Sequence, residues 1–242
     1  MSRKKLKTIG VLGGMGPEAT AYFFGQIIQA TSAESDQDHV PVIIYSLPQI
    51  PDRTGAILHS GPSPLPFLRR GLLALERAGA DFAVMPCVTA HYFYPRLAAR
   101  SPLPVLDLLE VTLAEFRRLR PVPKSIGLIA TAGTVRSGLV SSLFEPAGIR
   151  VILPSVRDQK RVMAAIYGKK GVKAGFTEGR PRELILGVAR ELVRRGAGAV
   201  MSGCTEVPLV LRASDLPVPF VEPMAIGARA AVKRAGARLR PL

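Results

Sequence analysis

The sequence has little of the residues that build metal sites and disulfide frameworks: 242 residues include two cysteines, three histidines and no tryptophan. His39, His59 and His91 lack the spacing of zinc ligands, so we expect no metal site. No uncharged apolar run approaches the roughly 20 residues that span a bilayer, and no secretory signal is recognisable. We therefore expect a cytoplasmic protein without a membrane partner, whose thiols stay reduced.

Acidic residues are also scarce, because 18 Asp and Glu stand against 33 Lys and Arg, which gives a net charge of +15. Such a charge can indicate nucleic-acid binding. Here the basic residues are scattered along helical stretches, without zinc-finger spacing and without aromatic residues interleaved to stack bases. We expect no nucleic-acid partner, whereas a positive field would raise the encounter rate with a small anionic molecule.

Short apolar segments alternate with helical stretches and carry no hairpin signals, a pattern that predicts parallel sheets with crossover helices. A helix is expected over 135–147, with loops at 131–134 and around Pro51–Thr54. Several positions recur at an offset of 117 residues, among them Gly79 with Gly196 and Cys87 with Cys204. The repeat predicts an α/β fold of two pseudo-symmetric three-layer domains with mainly parallel sheets and the site in a cleft between them.

The predicted domains are residues 1–116 together with 222–242, which carry Cys87, and residues 117–221, which carry Cys204. A last helix, from about 223 to 237, has no counterpart position in the second half of the repeat. We therefore expect this helix to cross back and pack on the first domain.

Each cysteine follows an apolar run, so the two thiols are expected at the carboxyl ends of parallel strands, where ligands gather in such sheets. A disulfide would close a long loop and stabilise by roughly 4.7 kcal/mol, but it belongs to oxidising compartments. Inert buried thiols are a second interpretation, since free cysteine packs as a small hydrophobe. The third is chemistry: Cys87 and Cys204 as a thiolate and thiol pair could move a proton from one face of a carbon to the other.

The glycine-rich segment Gly14–Ala19 formally fits the G-x-G-x-x-A pattern of dinucleotide-binding loops. That function would require an acidic residue at the end of the second strand, and Val42–Ser46 ends without one. Pro17 also removes a backbone N–H. The segment is better interpreted as a tight turn that holds an amino-acid carboxylate, and no cofactor is expected.

Five motifs occur in order and spacing over about residues 8–222: Gly13–Thr20, Asp36–His39, Ile50–Thr54, Pro86–His91 and Gly203–Glu206. Together they closely resemble the aspartate/glutamate racemase family, and above all its aspartate racemase branch. The resemblance implies a homodimeric isomerase that needs no pyridoxal phosphate and that racemises an acidic amino acid, aspartate first.

The resemblance also implies roles for individual residues. Cys87 and Cys204 would be the catalytic acid/base pair, and Arg53 and Lys173 would hold the side-chain carboxylate of the substrate. Further substrate contacts are expected from glycine-loop and strand-end residues, namely Met15, Gly16, Thr89, Thr131, Gly133, Thr134, Thr205 and Glu206. His91 is expected to orient its loop rather than to react.

One departure concerns Val88, where the family usually carries an asparagine whose amide can bond a substrate carboxylate. This departure leaves other functions open. One is a racemase of glutamate or of broad specificity, and another is an amino-acid sensor with weakened turnover. Hydantoin racemase or arylmalonate decarboxylase chemistry is a weaker alternative, because it would not need the cations Arg53 and Lys173.

Overall fold

The computed structural model describes residues 6–241, in which successive strands are connected by one or more helices over most of the length. The strands are Ile9–Gly13 (β1), Val42–Ser46 (β2), Phe82–Val84 (β3), Val105–Leu106 (β4), Ser125–Ile129 (β5), Arg150–Ile152 (β6), Val200–Ser202 (β7) and Phe220–Val221 (β8).

The α-helices are Pro17–Ala30 (α1), Arg53–Leu58 (α2), Leu65–Arg77 (α3), Tyr94–Ala98 (α4), Leu108–Phe116 (α5), Ala132–Arg136 (α6), Ser141–Phe144 (α7), Val156–Tyr167 (α8), Arg180–Arg194 (α9) and Pro223–Ala235 (α10). Short 3-10 turns include Thr89–Phe93 and Val172–Ala174. Within the described part of the chain, no helix combines the length and apolar character needed to cross a membrane.

The strands form two four-stranded sheets with the same order, β2-β1-β3-β4 and β6-β5-β7-β8. Every neighbouring pair in both sheets is parallel, with Ile9 opposite Val42 and Phe82 in the first sheet. Helices lie on both sides of the sheets. The predicted α/β class with parallel sheets is thus confirmed.

The chain divides into two compact units. The first comprises the residues up to Pro51, Ser63–Val111 and those from Met224 onward. The second comprises Asp52–Pro62 and Thr112–Pro223. The sequence-based boundaries assigned 52–62 to the first domain, whereas α2 packs on α6 of the second unit. Arg53 therefore belongs to the same unit as Cys204.

The core of the first unit contains α10, which lies against α1 and the strands of the first sheet. This packing is the return of the last helix that the sequence predicts, and it has a simple cause. One face of α10 is made of small and apolar residues that bury against larger side chains of the sheet and α1. The cluster includes Ile9, Phe23, Phe82, Met224, Ala228, Ala231 and Val232.

The core of the second unit is built mainly by α8 and α9 against the second sheet. Apolar residues recur on one face of each helix, so both helices bury a stripe and leave their basic residues outside. This packing fixes the end of α8, where Tyr167 lies. The buried members include Val162, Ile166, Ile185, Val188, Leu192 and Val200.

The sequence repeat corresponds to a repeated helix-to-strand contact. A Cβ placed on Gly10 of β1 would lie 2.9 Å from the Cβ of Ala80, and one on Gly127 of β5 would lie 3.1 Å from that of Ala197. Both strands therefore need glycine where the helix end approaches them. The repeated glycines preserve close packing, not catalysis.

The residues that end the helices before β3 and β7 are repeated as well. Gly79 and Gly196 have φ of 92° and 90°, a left-handed backbone that glycine adopts without steric cost. Each glycine follows the end of its helix, α3 or α9, and turns the chain into the strand that precedes a cysteine. The two halves thus deliver their thiols by the same local geometry.

Candidate active site

Cys204 lies just beyond the carboxyl end of β7, and the residue before it, Gly203, allows the chain to pass close to the sheet. A Cβ on Gly203 would lie 2.5 Å from Leu128 Cδ1 and 2.8 Å from Ala130 Cβ, so a side chain there would push the turn away from β5. With glycine the chain stays close to the sheet, and Cys204 is only 5% exposed. The structure records both cysteines as free thiols.

The thiol of Cys204 belongs to a buried polar cluster. Its Sγ donates to Glu206 Oε2 at 2.8 Å, and Thr205 Oγ1 donates to the same oxygen at 3.1 Å. The other carboxylate oxygen, Oε1, accepts from Lys173 Nζ at 2.6 Å. The Glu206 side chain is 4% exposed and that of Lys173 is 25% exposed. Four residues that the sequence predicts for the site are therefore brought together.

The cluster determines the protonation state of the thiol. Burial raises the pKa of Cys204 well above its usual value, and the negative charge of Glu206 acts in the same direction. The positive charge of Lys173 opposes both and lowers this pKa. At neutral pH Cys204 is consequently a thiol, able to donate a proton, and its conversion to thiolate depends on the balance between Glu206 and Lys173.

Arg53 is the first residue of α2, and its position follows from the residue before it. Asp52 caps this helix, because its Oδ1 accepts from the backbone N–H of Gly55 at 2.7 Å. Arg53 itself is 8% exposed. A loop was expected here, and the cap shows why the helix begins at Arg53.

Three threonine hydroxyls lie close together where α2 meets α6. Thr54 Oγ1 donates to Thr131 Oγ1 at 3.3 Å, and Thr131 Oγ1 lies 3.4 Å from Thr134 Oγ1. A Cβ on Gly133 would approach Thr54 Oγ1 to 2.8 Å, so the glycine permits this close packing. Thr131, Gly133 and Thr134 therefore gather around the residue that follows Arg53.

In the first unit, Cys87 is also buried, at 5% exposure, and is followed by the 3-10 turn Thr89–Phe93. His91 Nε2 accepts from the backbone N–H of Leu108 at 3.1 Å, so the ring proton lies on Nδ1, which donates to the Cys87 carbonyl at 2.9 Å. Burial lowers the pKa of His91, which favours this neutral form. Both ring nitrogens bind backbone groups, and His91 therefore orients the cysteine loop.

The remaining predicted residues of the first unit lie at the same edge of its sheet. Met15 and Gly16 follow β1, the neighbour of β3, and Met15 is 3% exposed. The turn is held by Thr20, whose Oγ1 accepts from the Gly14 N–H at 2.9 Å and donates to the Gly16 carbonyl. Thr89, two residues after Cys87, is also buried.

Val88 is 1% exposed, so an apolar side chain is buried where the family pattern has an amide. Among residues 6–241, no group of three or more His, Cys, Asp or Glu side chains could hold a metal ion. The side chains available for chemistry around Cys204 and around Cys87 are therefore thiols, hydroxyls, cations and the Glu206 carboxylate.

Comparison with known proteins identifies the family to which these residues belong. A family model described as Asp/Glu/hydantoin racemase matches residues 12–231, which is most of the chain. The chain belongs to the Asp/Glu/hydantoin racemase family. The family resemblance read from the motifs is thereby confirmed, and the protein is an isomerase of the racemase type.

Two relatives match this racemase over nearly its whole length. The Picrophilus torridus aspartate racemase superposes with a TM-score of 0.87 at 32% identity, covering 97% of this chain and 96% of that one. The broad specificity amino-acid racemase RacX of Bacillus subtilis is 27% identical over 230 residues, 93% of this chain and 96% of its own. A glutamate racemase of Francisella tularensis shares the fold alone, with a TM-score of 0.67 at 15% identity and coverage of 95% and 81%.

Sequence reasoning missed one residue of the racemase's second unit, Tyr167, which ends α8. Its hydroxyl donates to Asp52 Oδ2 at 2.9 Å, and Lys173 Nζ lies 5.5 Å from the centre of its ring. Burial raises the pKa of Tyr167, and the negative charge of Asp52 also raises it, whereas a hydrogen bond with Thr54 lowers it. No motif signals this residue, because its contacts come from parts of the chain far apart in sequence.

Proposed function

We propose that this racemase inverts the α-carbon of an acidic amino acid, with aspartate as the favoured substrate, by two-base proton transfer without a cofactor. The relatives support the amino-acid part of the proposal, since one is named an aspartate racemase and another a broad specificity amino-acid racemase. Arg53 and Lys173, two cations of the second unit, support a substrate with a second carboxylate.

The observation that carries the proposal is the Cys204 thiol bound to Glu206 at 2.8 Å. A general acid needs its proton in place and a partner of suitable basicity within hydrogen-bond reach. In one direction, Cys87 as thiolate removes the α-proton and Cys204 delivers its own proton to the opposite face of the carbanion. In the reverse direction the roles exchange, so each turnover leaves the two thiols with swapped protonation states.

Lys173 connects substrate charge to this proton. In the structure Lys173 binds Glu206 Oε1 at 2.6 Å, so a substrate carboxylate that reaches Lys173 competes with Glu206 for the same ammonium. Once the ammonium is shared, the positive charge that lowers the pKa of Cys204 is partly neutralised. An acidic substrate would thus favour the protonated thiol, the form that delivers a proton, which a neutral amino acid would not.

Solvent exchange tests the proposed function directly. Purified protein incubated with L-aspartate in heavy water should yield D-aspartate carrying deuterium at the α-carbon, and D-aspartate should yield L-aspartate. Absence of exchange with both enantiomers of aspartate and of glutamate would reject the acidic substrate. Exchange with homoserine or alanine alone would keep the two-thiol chemistry and assign a different pocket.

The second candidate is an amino-acid-binding protein with weakened turnover, and the buried Val88 favours it. Valine cannot donate to a substrate carboxylate as an amide would, so transition-state stabilisation would be reduced. Calorimetric binding of aspartate without α-proton exchange would identify this function. Recovery of exchange in Val88→Asn would show that the missing amide is the cause.

The racemase is also proposed to act in the cytoplasm as a homodimer. The two free thiols agree with a reducing compartment. Light scattering during size-exclusion chromatography measures the assembly, since a 25.9 kDa chain gives a dimer near twice this mass. A mass that stays at that of one chain at micromolar concentration would reject the dimer.

A further inference from the structure

We propose that Tyr167 is a positioning residue that holds Arg53 and Lys173 in place and thereby sets the preference of the site for acidic over neutral substrates. The inference rests on the proposed function, because it concerns how the same substrate carboxylate is recognised. Two independent contacts of one side chain carry it, one through the hydroxyl and one through the ring.

The hydroxyl contact fixes the helix that begins with Arg53. Asp52 uses its two carboxylate oxygens for two different tasks: Oδ1 caps α2 at Gly55 N, and Oδ2 accepts from the Tyr167 hydroxyl. Without the second bond the capping carboxylate could rotate about its own side chain. Because Arg53 is the first residue of this helix, any movement of the cap changes the direction of its backbone.

The ring contact fixes the second cation. Lys173 Nζ lies 5.5 Å from the centre of the Tyr167 ring, within the range of a cation–π interaction. The same ammonium binds Glu206 Oε1, so the ring and the carboxylate restrain it from two sides. When a substrate carboxylate displaces Glu206, the ring still holds the ammonium.

The donor state of the hydroxyl is maintained throughout the working pH range. Burial raises the pKa of Tyr167, although the residue is 40% exposed. The neighbouring charges of Asp52 and Cys204 act in the same direction. The hydroxyl therefore keeps its proton and continues to donate to Asp52 while the thiol of Cys204 changes state.

Two variants separate the two contacts. Tyr167→Phe removes the hydroxyl and keeps the ring, whereas Tyr167→Leu removes both. The assay is α-proton exchange with aspartate and with asparagine, which has the same shape and a neutral side chain. Tyr22→Phe is the matched control, because Tyr22 is a partly exposed tyrosine on α1 of the first unit.

Tyr167→Phe should raise KM for aspartate about tenfold, the effect of losing a hydrogen bond to a charged group. Its kcat should change less than about twofold, and KM for asparagine should be nearly unchanged. Tyr167→Leu should raise KM for aspartate by a further factor of about three through loss of the cation–π contact. Equal losses on both substrates, or none, would overturn the positioning role.

A measurement without turnover keeps this inference separate from the proposed function. Asp52→Ser retains a capping oxygen and removes the acceptor of Tyr167, so it pairs with Tyr167→Phe in a double-mutant cycle of urea unfolding. The double variant should be less destabilised than the sum of the two single variants, by about tenfold in the unfolding equilibrium constant. Additive effects overturn the inference, even in an active racemase.

If the wild type does not racemise, the aspartate-to-asparagine comparison is made on Kd by calorimetry. Tyr167→Phe should then weaken aspartate binding selectively, which would support the positioning role while the proposed catalysis fails. A wild type that binds neither amino acid would overturn both the inference and the proposed function.

Discussion

Removing Lys173 tests whether the buried cluster around Cys204 depends on charge pairing. In Lys173→Met the carboxylate of Glu206, 4% exposed, would lose an ammonium at 2.6 Å. Breaking a buried ion pair from one side costs about 3–5 kcal/mol. Because a quarter of the Lys173 side chain is exposed, water screens the interaction, and we expect a loss of about 2–3 kcal/mol in the free energy of unfolding.

A second change should restore most of this loss. In the double variant Lys173→Met with Glu206→Gln no buried charge remains, and the amide can still accept from Cys204 and Thr205. We expect the double variant to recover at least about half of the stability lost by the single one. At about 2–4 °C per kcal/mol for a chain of this size, the single variant should melt about 4–12 °C below the wild type.

Urea and thermal unfolding, followed by circular dichroism at pH 7, measure both quantities. Lys170→Met is the matched control, because Lys170 is exposed and only three residues away. If Lys173→Met is as stable as the Lys170→Met control, the pair contributes nothing measurable. If the double variant is no more stable than Lys173→Met, the loss does not come from an unpaired carboxylate, because methionine keeps an apolar stem like that of lysine.

Four further predictions concern catalysis and pH. Replacing either thiol, in Cys87→Ser or in Cys204→Ser, should abolish two-way racemisation and leave α-proton exchange of at most one enantiomer. Wild-type rates in both directions would contradict the two-base mechanism. Arg53→Ala should lower kcat/KM on aspartate about ten- to a hundredfold and on asparagine much less, since a bidentate charge-assisted contact is lost; equal losses would assign Arg53 to loop support. Glu206→Gln removes a charge that raises the pKa of Cys204, so exchange of the enantiomer that Cys204 deprotonates should begin at lower pH; an unchanged or alkaline-shifted profile would contradict this assignment. Burial lowers the pKa of His91 below 6.5, so on acidification the unfolded chain binds this proton before the folded chain does. The free energy of unfolding of the wild type should therefore fall as the pH drops below 6.5. In urea unfolding, His91→Gln should lack this contribution to the pH dependence of stability.

The sequence predicted the sheet class and the positions of the two thiols because both depend on local patterns. Short apolar runs followed by Cys87 and Cys204 determine strands and their ends regardless of distant contacts. The return of α10 to the first unit was also predictable, since that helix had no place left in the second half of the repeat. These are features in which pattern and packing agree.

The predicted helix over 135–147 was wrong in its continuity. The structure has α6 and α7 instead, separated by Gly138 with φ of 67°, a conformation that an α-helix cannot contain. The start was wrong as well, because Thr131 accepts from the backbone N–H of Thr134 and caps α6 three residues early. Threonine is a residue type that favours the N-cap, so this start is legible in the sequence.

The contact between Asp52 and Tyr167 could not be predicted, because it joins segments distant in the chain. Asp52 and Tyr167 are separated by 115 residues, and no spacing rule links them. The segment 52–62 also joins the second unit through packing of α2 on α6, which close approach at Gly133 permits. Motifs identify the residues of such a site, whereas tertiary packing decides which of them work together.

The two thiols occupy equivalent places in a repeated fold, yet their surroundings differ in kind. Cys204 donates to an ionisable carboxylate that is itself bound to a cation. Beside Cys87, the ionisable ring of His91 has both nitrogens bonded to backbone groups, so it holds the loop without sharing the thiol proton. In the proposed two-base mechanism each half of the repeat supplies one thiol, and the substrate's own charge would adjust proton transfer at Cys204 through the Lys173–Glu206 pair. It follows that kcat in the two directions should differ in pH dependence, whereas kcat/KM must stay equal in both, because the two enantiomers have the same free energy.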